Sequence, residues 1–291
     1  MSLHARPRRS VLYMPGSNAR ALEKGKTLAA DALILDLEDA VAPDAKALAR
    51  QQVVDAVKGG GYGHRELVIR VNGLDSPWGA DDLAAAATSG ADAVLLPKVE
   101  SAAMVAAAEA KLDAAGGPAK LPIWCMMETP LGILNAKEVA SASPRIDCLV
   151  MGTSDLVKEL QAAHTMQRLP VLASLSVCLL AARAYDLSIL DGVHLDLADD
   201  EGFRASCEQG RELGFDGKTL IHPKTLATAN EVFAPSQSEV SFARRIIEAF
   251  ALATSEGKAL VVLDGKLIEN LHVETAKRTV ALADAIAAQA A

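Results

Sequence analysis

The stretch Trp124-Cys125-Met126-Met127-Glu128-Thr129-Pro130 joins an apolar run to a carboxylate and then to a Thr-Pro pair. An apolar run of this length, bounded by Pro122, predicts a buried β-strand over residues 122–128. The Thr-Pro pair predicts a helix over about residues 131–142. A carboxylate at the end of a buried strand costs free energy unless a cation meets it. Glu128 is therefore the first candidate for a functional side chain.

The same change from strand to helix recurs along the chain. The predicted strands are near-continuously apolar, which is typical of parallel strands that are covered on both faces. They span residues 9–15, 32–38, 66–72, 93–99, 122–128, 148–152, 188–194 and 217–222. Ser154, just after the sixth of them, is expected to cap the helix that follows. Eight such strands with intervening helices predict an α/β protein with a (β/α)8 TIM barrel. An open doubly wound sheet fits less well, because its first turn usually carries a glycine fingerprint that Pro15-Gly16-Ser17 lacks.

The residues after the barrel form a separate pattern that the barrel does not need for closure. Helical runs are expected at 239–255 and 273–288, with a short strand at 259–263 and a turn at Asp264-Gly265. We therefore predict a catalytic barrel over residues 1–234. Residues 235–291 are predicted to be a C-terminal helical lid or oligomer contact.

Composition excludes several classes of function. The net charge is −8 and the sequence shows no basic face, which argues against a nucleic-acid partner. No apolar run approaches the roughly 18 residues that a membrane span needs. The basic start of the chain lacks the apolar run of a signal peptide. The four scattered cysteines have no metal-binding or redox spacing, so we expect reduced thiols and a cytoplasmic protein.

Polar side chains concentrate at the carboxyl ends of the predicted strands, where barrel enzymes carry their chemistry. They are Tyr13, Asp36, Glu38, Asp39, Arg70, Asn72, Lys98, Glu128, Asp155, Asp191, His194 and His222. For Asp39, Asp191 and His194, a structural ion pair at the barrel mouth is at least as good an interpretation as a catalytic role.

Glu128 and Asp155 stand on neighbouring strand exits without a histidine pair or cysteine beside them. Two carboxylates with room for water suit Mg²⁺ better than zinc. The alternative is that Glu128 pairs with Arg70 or Lys98 and no metal binds. Carboxylates outnumber cations on this rim, which favours the metal.

Two further cationic features have a functional and a structural interpretation. Arg70 could hold a developing oxyanion or a substrate carboxylate, or it could be a buried counter-ion for Asp36 or Glu38, and it could serve both roles. Arg20 and Lys24 lie four residues apart near the start of the first helix, which suits an anionic ligand with phosphates. A solvated basic face would look the same.

A set of motifs resembles the CoA-ester lyases of the citrate lyase β-subunit-like, HpcH/HpaI aldolase superfamily. They occur in order from residue 9 to residue 236 and read RSVLYMPG, ILDLEDAV, VIRVNG, LLPKVES, METPLGILN, MGTSDL, GFDGKTLIHP and FAPS. The resemblance implies a TIM barrel, Mg²⁺, a homotrimer or hexamer, and an acyl-CoA substrate such as malyl-CoA or citramalyl-CoA.

The resemblance also implies roles for individual residues. Glu128 and Asp155 match the family's Mg²⁺ ligands, and Arg70 matches its substrate-contacting arginine. Tyr13, Arg20, Lys24, Ile221 and His222 match positions around CoA. Asp36, Glu38, Asp39 and Lys98 are expected to contact the site residues and not the substrate itself.

The tail resembles the family's lid, which reaches the neighbouring subunit's site and carries a catalytic aspartate in a GKxxD pattern. Here Gly265-Lys266-Leu267-Ile268 is followed by Glu269, one methylene longer, which we predict to be the general base.

The motifs imply a Mg²⁺-dependent lyase that cleaves or forms a 3-hydroxy-dicarboxyl-CoA ester, with acetyl-CoA and a 2-oxo acid as the other side of the reaction. Thr153-Ser154-Asp155 departs from the Gly-Glu-Asp of many members and looks closer to the branch that includes malyl-CoA thioesterases. Hydrolysis of malyl-CoA at the same site is therefore an alternative. A carrier-protein-dependent citrate lyase β subunit is another, against which the lid and Arg20/Lys24 argue. An aldolase on free pyruvate ranks lower, because such enzymes lack this lid.

Overall fold

The structure, a computed structural model, describes residues 6–290. Eight parallel strands form a closed barrel in chain order, each hydrogen-bonded to the next and β8 to β1. They are β1 (Ser10–Pro15), β2 (Ala32–Asp36), β3 (Glu66–Arg70), β4 (Ala93–Leu96), β5 (Ile123–Met127), β6 (Ile146–Met151), β7 (Ser188–Asp191) and β8 (Gly217–Leu220). The prediction of a TIM barrel is confirmed.

Helices connect the strands, as a parallel sheet requires. In chain order they are α1 (Ala19–Gly25), α2 (Lys46–Gly59), α3 (Gly79–Ala87), α4 (Ala102–Ala114), α5 (Pro130–Leu134), α6 (Ala136–Ala140), α7 (Thr153–Glu159), α8 (Leu169–Ala184), α9 (Asp200–Leu213) and α10 (Leu226–Val232). Short 3₁₀ turns at Pro43–Ala45 and Pro223–Thr225 precede α2 and α10.

The barrel interior is filled by alternate residues of the strands. One buried cluster joins side chains from seven of the eight strands, among them Val11, Ile34, Leu95, Trp124 and Leu190. At the amino-terminal end of the strands, the guanidinium of Arg8 lies 4.7 Å from the Trp124 ring centroid and binds Glu66 at 2.7 Å. Arg8 therefore covers the interior at this end, whereas the polar residues that follow the strands lie at the other end.

The strands end two or three residues earlier than the sequence pattern predicts at several exits. β2 stops at Asp36, for example, because its carboxylate accepts the backbone N–H groups of Glu38 (2.9 Å) and Ala40 (3.1 Å). Such a side-chain-to-backbone turn competes with the ladder. The polar residues that follow the strands therefore lie on loops above the barrel.

Two local predictions are wrong. The expected single helix over 131–142 is broken into α5 and α6, because Asn135 between them donates its side-chain N–H to the carbonyl of Glu100 (2.8 Å). Ser154, expected as the cap of the following helix, lies inside α7, which begins at Thr153 after Gly152.

Chain contacts divide the molecule into two compact units, Arg8–Glu231 and a second unit built mainly from Val232 onward. The second unit contains α11 (Gln237–Ser255), α12 (Asn270–Ala290) and a hairpin of β9 (Val261–Leu263) and β10 (Lys266–Ile268). Ser236 and Glu239 form a capping box at the start of α11. The division at residues 234 and 235 into catalytic domain and lid stays a prediction of function.

The hairpin turn is formed by Asp264 and Gly265, whose φ angles are 49° and 75°. This is the conformation of a tight hairpin turn that favours Asp-Gly. Ile268, Val273 and Ala276 pack with Ala243 and Ile246 in a small apolar core of this unit. Within residues 6–290, none of the helices has the length and apolar character that crossing a membrane would require.

Candidate active site

Glu128 follows β5 directly, and its side chain is only 2% exposed. Its Oε1 accepts the backbone N–H of Lys98 at 2.9 Å. Lys98 adopts a left-handed backbone conformation, with φ of 47°, that is uncommon outside glycine. Burial raises the pKa of Glu128 to about 7, against the lowering effect of the Lys98 N–H and with the nearby charge of Glu38 adding to the rise.

Gly152, the residue after β6, makes room for Glu128. A Cβ atom at residue 152 would lie 2.3 Å from both Cβ and Oε2 of Glu128. Only a glycine lets the carboxylate pass over the backbone at this point. The sequence pattern alone gives Gly152 no special role, although it lies in the MGTSDL motif.

Asp155 is in the first turn of α7, where a carboxylate interacts favourably with the helix dipole. The ammonium of Lys98 lies 3.9 Å from Asp155 Oδ2 and 3.3 Å from Glu38 Oε1. Lys98 thus connects three carboxylates, Glu128 through its backbone and the other two through its side chain.

Arg70, the last residue of β3, is buried among acids. Its Nε and Nη2 bind the two oxygens of Asp36 at 2.7 Å each, and Nη1 lies 2.8 Å from Glu38 and 3.3 Å from Asp39. The guanidinium also stacks 4.9 Å from the ring centroid of Tyr13. Burial works against its charge, yet these carboxylates raise the pKa of Arg70 well above its usual range. Arg70 is therefore the buried counter-ion that one interpretation expected, and it remains a fixed positive charge beside Tyr13.

Glu38 lies between the two cations of the site, since its two oxygens contact Arg70 and Lys98. Burial raises its pKa above the usual value even though both cations lower it. The acid group as a whole holds more carboxylates than cations. Its five carboxylates are Asp36, Glu38, Asp39, Glu128 and Asp155, and its two cations are Arg70 and Lys98.

The arrangement fits a divalent cation. Across residues 6–290, Glu128 forms no ion pair, so the predicted alternative of a Glu128–Arg70 or Glu128–Lys98 salt bridge is not present. No group of three or more His, Cys, Asp or Glu side chains in that range converges as a complete metal cage. A hard cation such as Mg²⁺ does not need a complete cage of protein ligands, because it takes one or two carboxylates and keeps water or substrate oxygens as its other ligands.

The predicted CoA-binding residues lie at the β8–β1 side of the mouth. Arg20 and Lys24 are exposed on α1, and neither side chain has an ion pair within the described part of the chain. Ile221 and His222 follow β8, which is hydrogen-bonded to β1. His222 caps the next turn by accepting the N–H of Lys224 at its Nδ1. Their role toward CoA stays a prediction.

Glu269 belongs to the C-terminal unit, between β10 and α12. Its backbone N–H donates to Nδ1 of His272 at 3.0 Å. Its carboxylate has no ion pair among residues 6–290 and is half-buried. A carboxylate without a cationic partner is available as a base, so the prediction for Glu269 stands as a proposal.

A buried ion-pair cluster of one acid and two cations lies at β7 and β8, and only its acid, Asp191, was among the residues predicted from the sequence. Asp191 and Lys218 are completely buried and 2.7 Å apart, and Arg168 Nη1 binds both Asp191 oxygens at 2.7 Å. Lys218, a lysine within a predicted buried strand, was the feature of the sequence that could have indicated a buried cation here. Asp191 is therefore structural, as one interpretation expected. A cavity of about 300 Å³, lined by His194 and Arg168 among others, adjoins this group.

Comparison with known proteins agrees with the motifs. Residues 9–223 match the family model described as HpcH/HpaI aldolase/citrate lyase. The chain is 53% identical over 288 residues to a (3S)-malyl-CoA thioesterase of Cereibacter sphaeroides, with 99% of each chain covered. It is 36% identical over 308 residues to an L-malyl-CoA/beta-methylmalyl-CoA lyase of the same species, with coverage of 98% and 97%.

Among solved structures, the protein CitE from Mycobacterium tuberculosis in complex with magnesium, acetoacetate and coenzyme A has a TM-score of 0.77 and 28% identity. The match covers 97% of this chain and 99% of that one. The family that the sequence motifs indicated is confirmed, and the chain belongs to the HpcH/HpaI aldolase/citrate lyase family.

Proposed function

We propose that this protein is a Mg²⁺-dependent enzyme that acts on a 3-hydroxy-dicarboxyl-CoA ester such as malyl-CoA, and that it hydrolyses the thioester. The proposal depends mainly on Glu128, a buried carboxylate that has no ion pair within residues 6–290 and lies close enough to Asp155 for the two charges to interact. The chain is 53% identical in sequence to a malyl-CoA thioesterase and 36% identical to a malyl-CoA lyase. The higher identity supports hydrolysis over carbon–carbon cleavage.

Glu128 and Asp155 would hold the metal, which would polarise the oxygens of the hydroxy-acid end of the substrate. Arg70 keeps its positive charge because of its carboxylate partners. It would stabilise the negative charge that develops at the reacting carbonyl. Arg20 and Lys24, exposed and without ion pairs in the described part of the chain, would bind the phosphates of CoA.

In hydrolysis, Glu269 of a neighbouring subunit would take a proton from water. The water oxygen bonds to the thioester carbonyl carbon, the carbon–sulfur bond breaks, and the CoA thiolate leaves and takes up a proton. The products are the dicarboxylic acid and free CoA. This scheme requires an oligomer in which the lid reaches another subunit, and we propose a trimer or hexamer.

Carbon–carbon cleavage is the second candidate, because the same groups can perform it. Glu269 would then remove the proton of the 3-hydroxyl, the bond between C2 and C3 would break, and Arg70 would stabilise the enolate of acetyl-CoA. A glyoxylate-type 2-oxo acid is the other product. A citrate lyase β subunit acting on a carrier protein would not need Arg20 and Lys24 for CoA phosphates.

Product analysis with malyl-CoA and Mg²⁺ tests the proposal. Malate and free CoA in equal amounts are expected, whereas glyoxylate and acetyl-CoA would assign the lyase reaction instead. Glu269→Gln should abolish turnover and leave Mg²⁺ binding intact. Turnover that survives in this variant would contradict the role of Glu269, and absence of any product from malyl-CoA would contradict the substrate class.

A further inference from the structure

Lys98 has two different contacts with the acid group at the barrel mouth. Its backbone N–H donates to Glu128 Oε1 at 2.9 Å, which fixes the loop after β4 against the proposed metal ligand. Its ammonium lies 3.3 Å from Glu38 Oε1 and 3.9 Å from Asp155 Oδ2. A monovalent cation thus lies against one of the two carboxylates that would hold the metal.

The ammonium and a metal ion would compete for the same space and charge. Mg²⁺ binds a carboxylate oxygen at about 2.1 Å. With Lys98 Nζ 3.9 Å from Asp155 Oδ2, a metal on that oxygen could lie no farther than about 6 Å from the ammonium. At that distance the repulsion between a divalent ion and an ammonium is substantial even in a partly solvated site.

The side chain of Lys98 is able to move away. It is 44% exposed, whereas the backbone N–H that contacts Glu128 belongs to a well-packed loop. Burial works to lower the pKa of Lys98, but Glu38, Glu128, Asp39 and Asp155 together raise it. The ammonium is therefore charged and attracted to the acid group whenever no stronger cation is there.

We propose that Lys98 is a built-in counter-cation: its ammonium neutralises Asp155 and Glu38 in the metal-free protein and is displaced from Asp155 when the metal binds. Lys98 thereby weakens metal binding and keeps the acid group compact in its absence. This inference rests on the proposed function, because it takes Glu128 and Asp155 as the metal ligands.

The test measures binding of Mn²⁺, as a spectroscopic substitute for Mg²⁺, by the electron paramagnetic resonance signal of the free ion, with full-length protein and no substrate. Lys98→Met removes the charge and keeps the length of the side chain, and it is expected to lower the Kd about tenfold. Lys98→Arg keeps the charge and should bind Mn²⁺ as the wild type does. Lys98→Gln is a second neutral variant, which should follow Lys98→Met.

Lys224→Met is the matched control. It removes an exposed lysine that pairs with Asp200 at 2.8 Å, a closer lysine–aspartate contact than that of Lys98, and its Kd should not change. The melting temperature gives a second readout: without metal the two neutral Lys98 variants should melt below the wild type, and saturating Mn²⁺ should raise their melting temperature by more than that of the wild type.

A Kd in Lys98→Met that equals or exceeds the wild-type value would overturn the counter-cation role while leaving the metal site intact. If the wild-type protein binds no Mn²⁺, both the proposed metal site and the proposed role of Lys98 are contradicted. The two failures are thus distinguished by the wild-type titration alone.

Discussion

Two buried carboxylates of the barrel have opposite surroundings. Asp191 is fully buried between Lys218 and Arg168, and although burial works to raise its pKa, these two cations lower it below the usual range. Glu128 is nearly as buried but has no ion pair within residues 6–290, and its pKa rises to about 7. Removing a buried acid that is matched by cations leaves those cations unpaired and destabilises the fold, whereas an acid without such partners can accept a cation from outside the chain.

The largest effect should come from removing the charge of Glu128. Glu128→Gln keeps the shape and the acceptor for the Lys98 N–H, but it should abolish metal binding and reduce turnover by roughly a thousandfold or more. The melting temperature at pH 8 should stay the same or rise, because a buried unpaired charge is removed. Titration with Mn²⁺ and a thermal melt check both parts. A variant that loses stability instead would show that Glu128 is structural, like Asp191.

Asp191→Asn should have the opposite effects, a loss of stability and no change in metal affinity. It leaves Lys218 and Arg168 without their shared carboxylate, and losing one partner of a buried ion pair typically costs about 3–5 kcal/mol of unfolding free energy. Mn²⁺ affinity should be unchanged in the fraction that folds. Denaturant unfolding measures the loss. Lys218→Met is the comparison variant, and its smaller expected loss follows because Asp191 keeps Arg168.

Gly152→Ala tests whether the space around Glu128 matters for its role. The added methyl group would lie 2.3 Å from the Glu128 side chain, so the carboxylate must move. We expect metal affinity to fall by about 10- to 100-fold, as for other changes that misplace a metal ligand. Gly59→Ala, at a glycine with nothing within 4 Å of an added Cβ, is the control and should bind Mn²⁺ normally. Equal affinities in the two variants would contradict the steric argument.

The smallest effect is a pH dependence of metal binding. The pKa of Glu128 is raised from its usual 4.5 to about 7, so between these values the folded protein holds a proton that the unfolded chain has lost. The free energy of unfolding therefore decreases as the pH rises from about 4.5 to about 7 and Glu128 ionises in the folded protein. Metal binding requires this ionised form. Below pH 7, Mn²⁺ affinity should fall by up to about tenfold per pH unit, with one proton released per metal bound. Calorimetry in buffers of different ionisation enthalpy counts that proton, and a pH-independent affinity between pH 5.5 and 8 would contradict the raised pKa.

Much of the barrel could be predicted because strand and helix patterns are local. The apolar run before Glu128 became β5, and the Thr-Pro pair after it started α5 with Thr129 as the N-cap. The strand ends were predicted too late, since the sequence pattern does not show that a side chain such as Asp36 ends its own strand by binding the backbone. The break at Asn135 was missed for a different reason, because the carbonyl that accepts its side-chain N–H belongs to Glu100, 35 residues away in the sequence.

The candidate site was predicted as a set of residue types on one rim, and the structure brings Tyr13, Asp36, Glu38, Asp39, Arg70, Lys98, Glu128 and Asp155 into one group. The role of Gly152 could not be predicted, because nothing in the sequence shows which side chain passes over it. The same holds for Lys98, whose backbone and side chain contact different acids.

The sequence by itself determined that eight apolar strands close into a barrel and that acids and bases follow those strands. Only the tertiary structure decided which acid meets which base. Lys98 and Glu38 are 60 residues apart and Arg168 and Asp191 are 23 apart, yet each pair is in contact. Electrostatic matching depends on distance in space and on burial, neither of which local patterns encode. For this reason Asp191 and Glu128, each at the carboxyl end of a barrel strand, have opposite electrostatic surroundings in the folded protein.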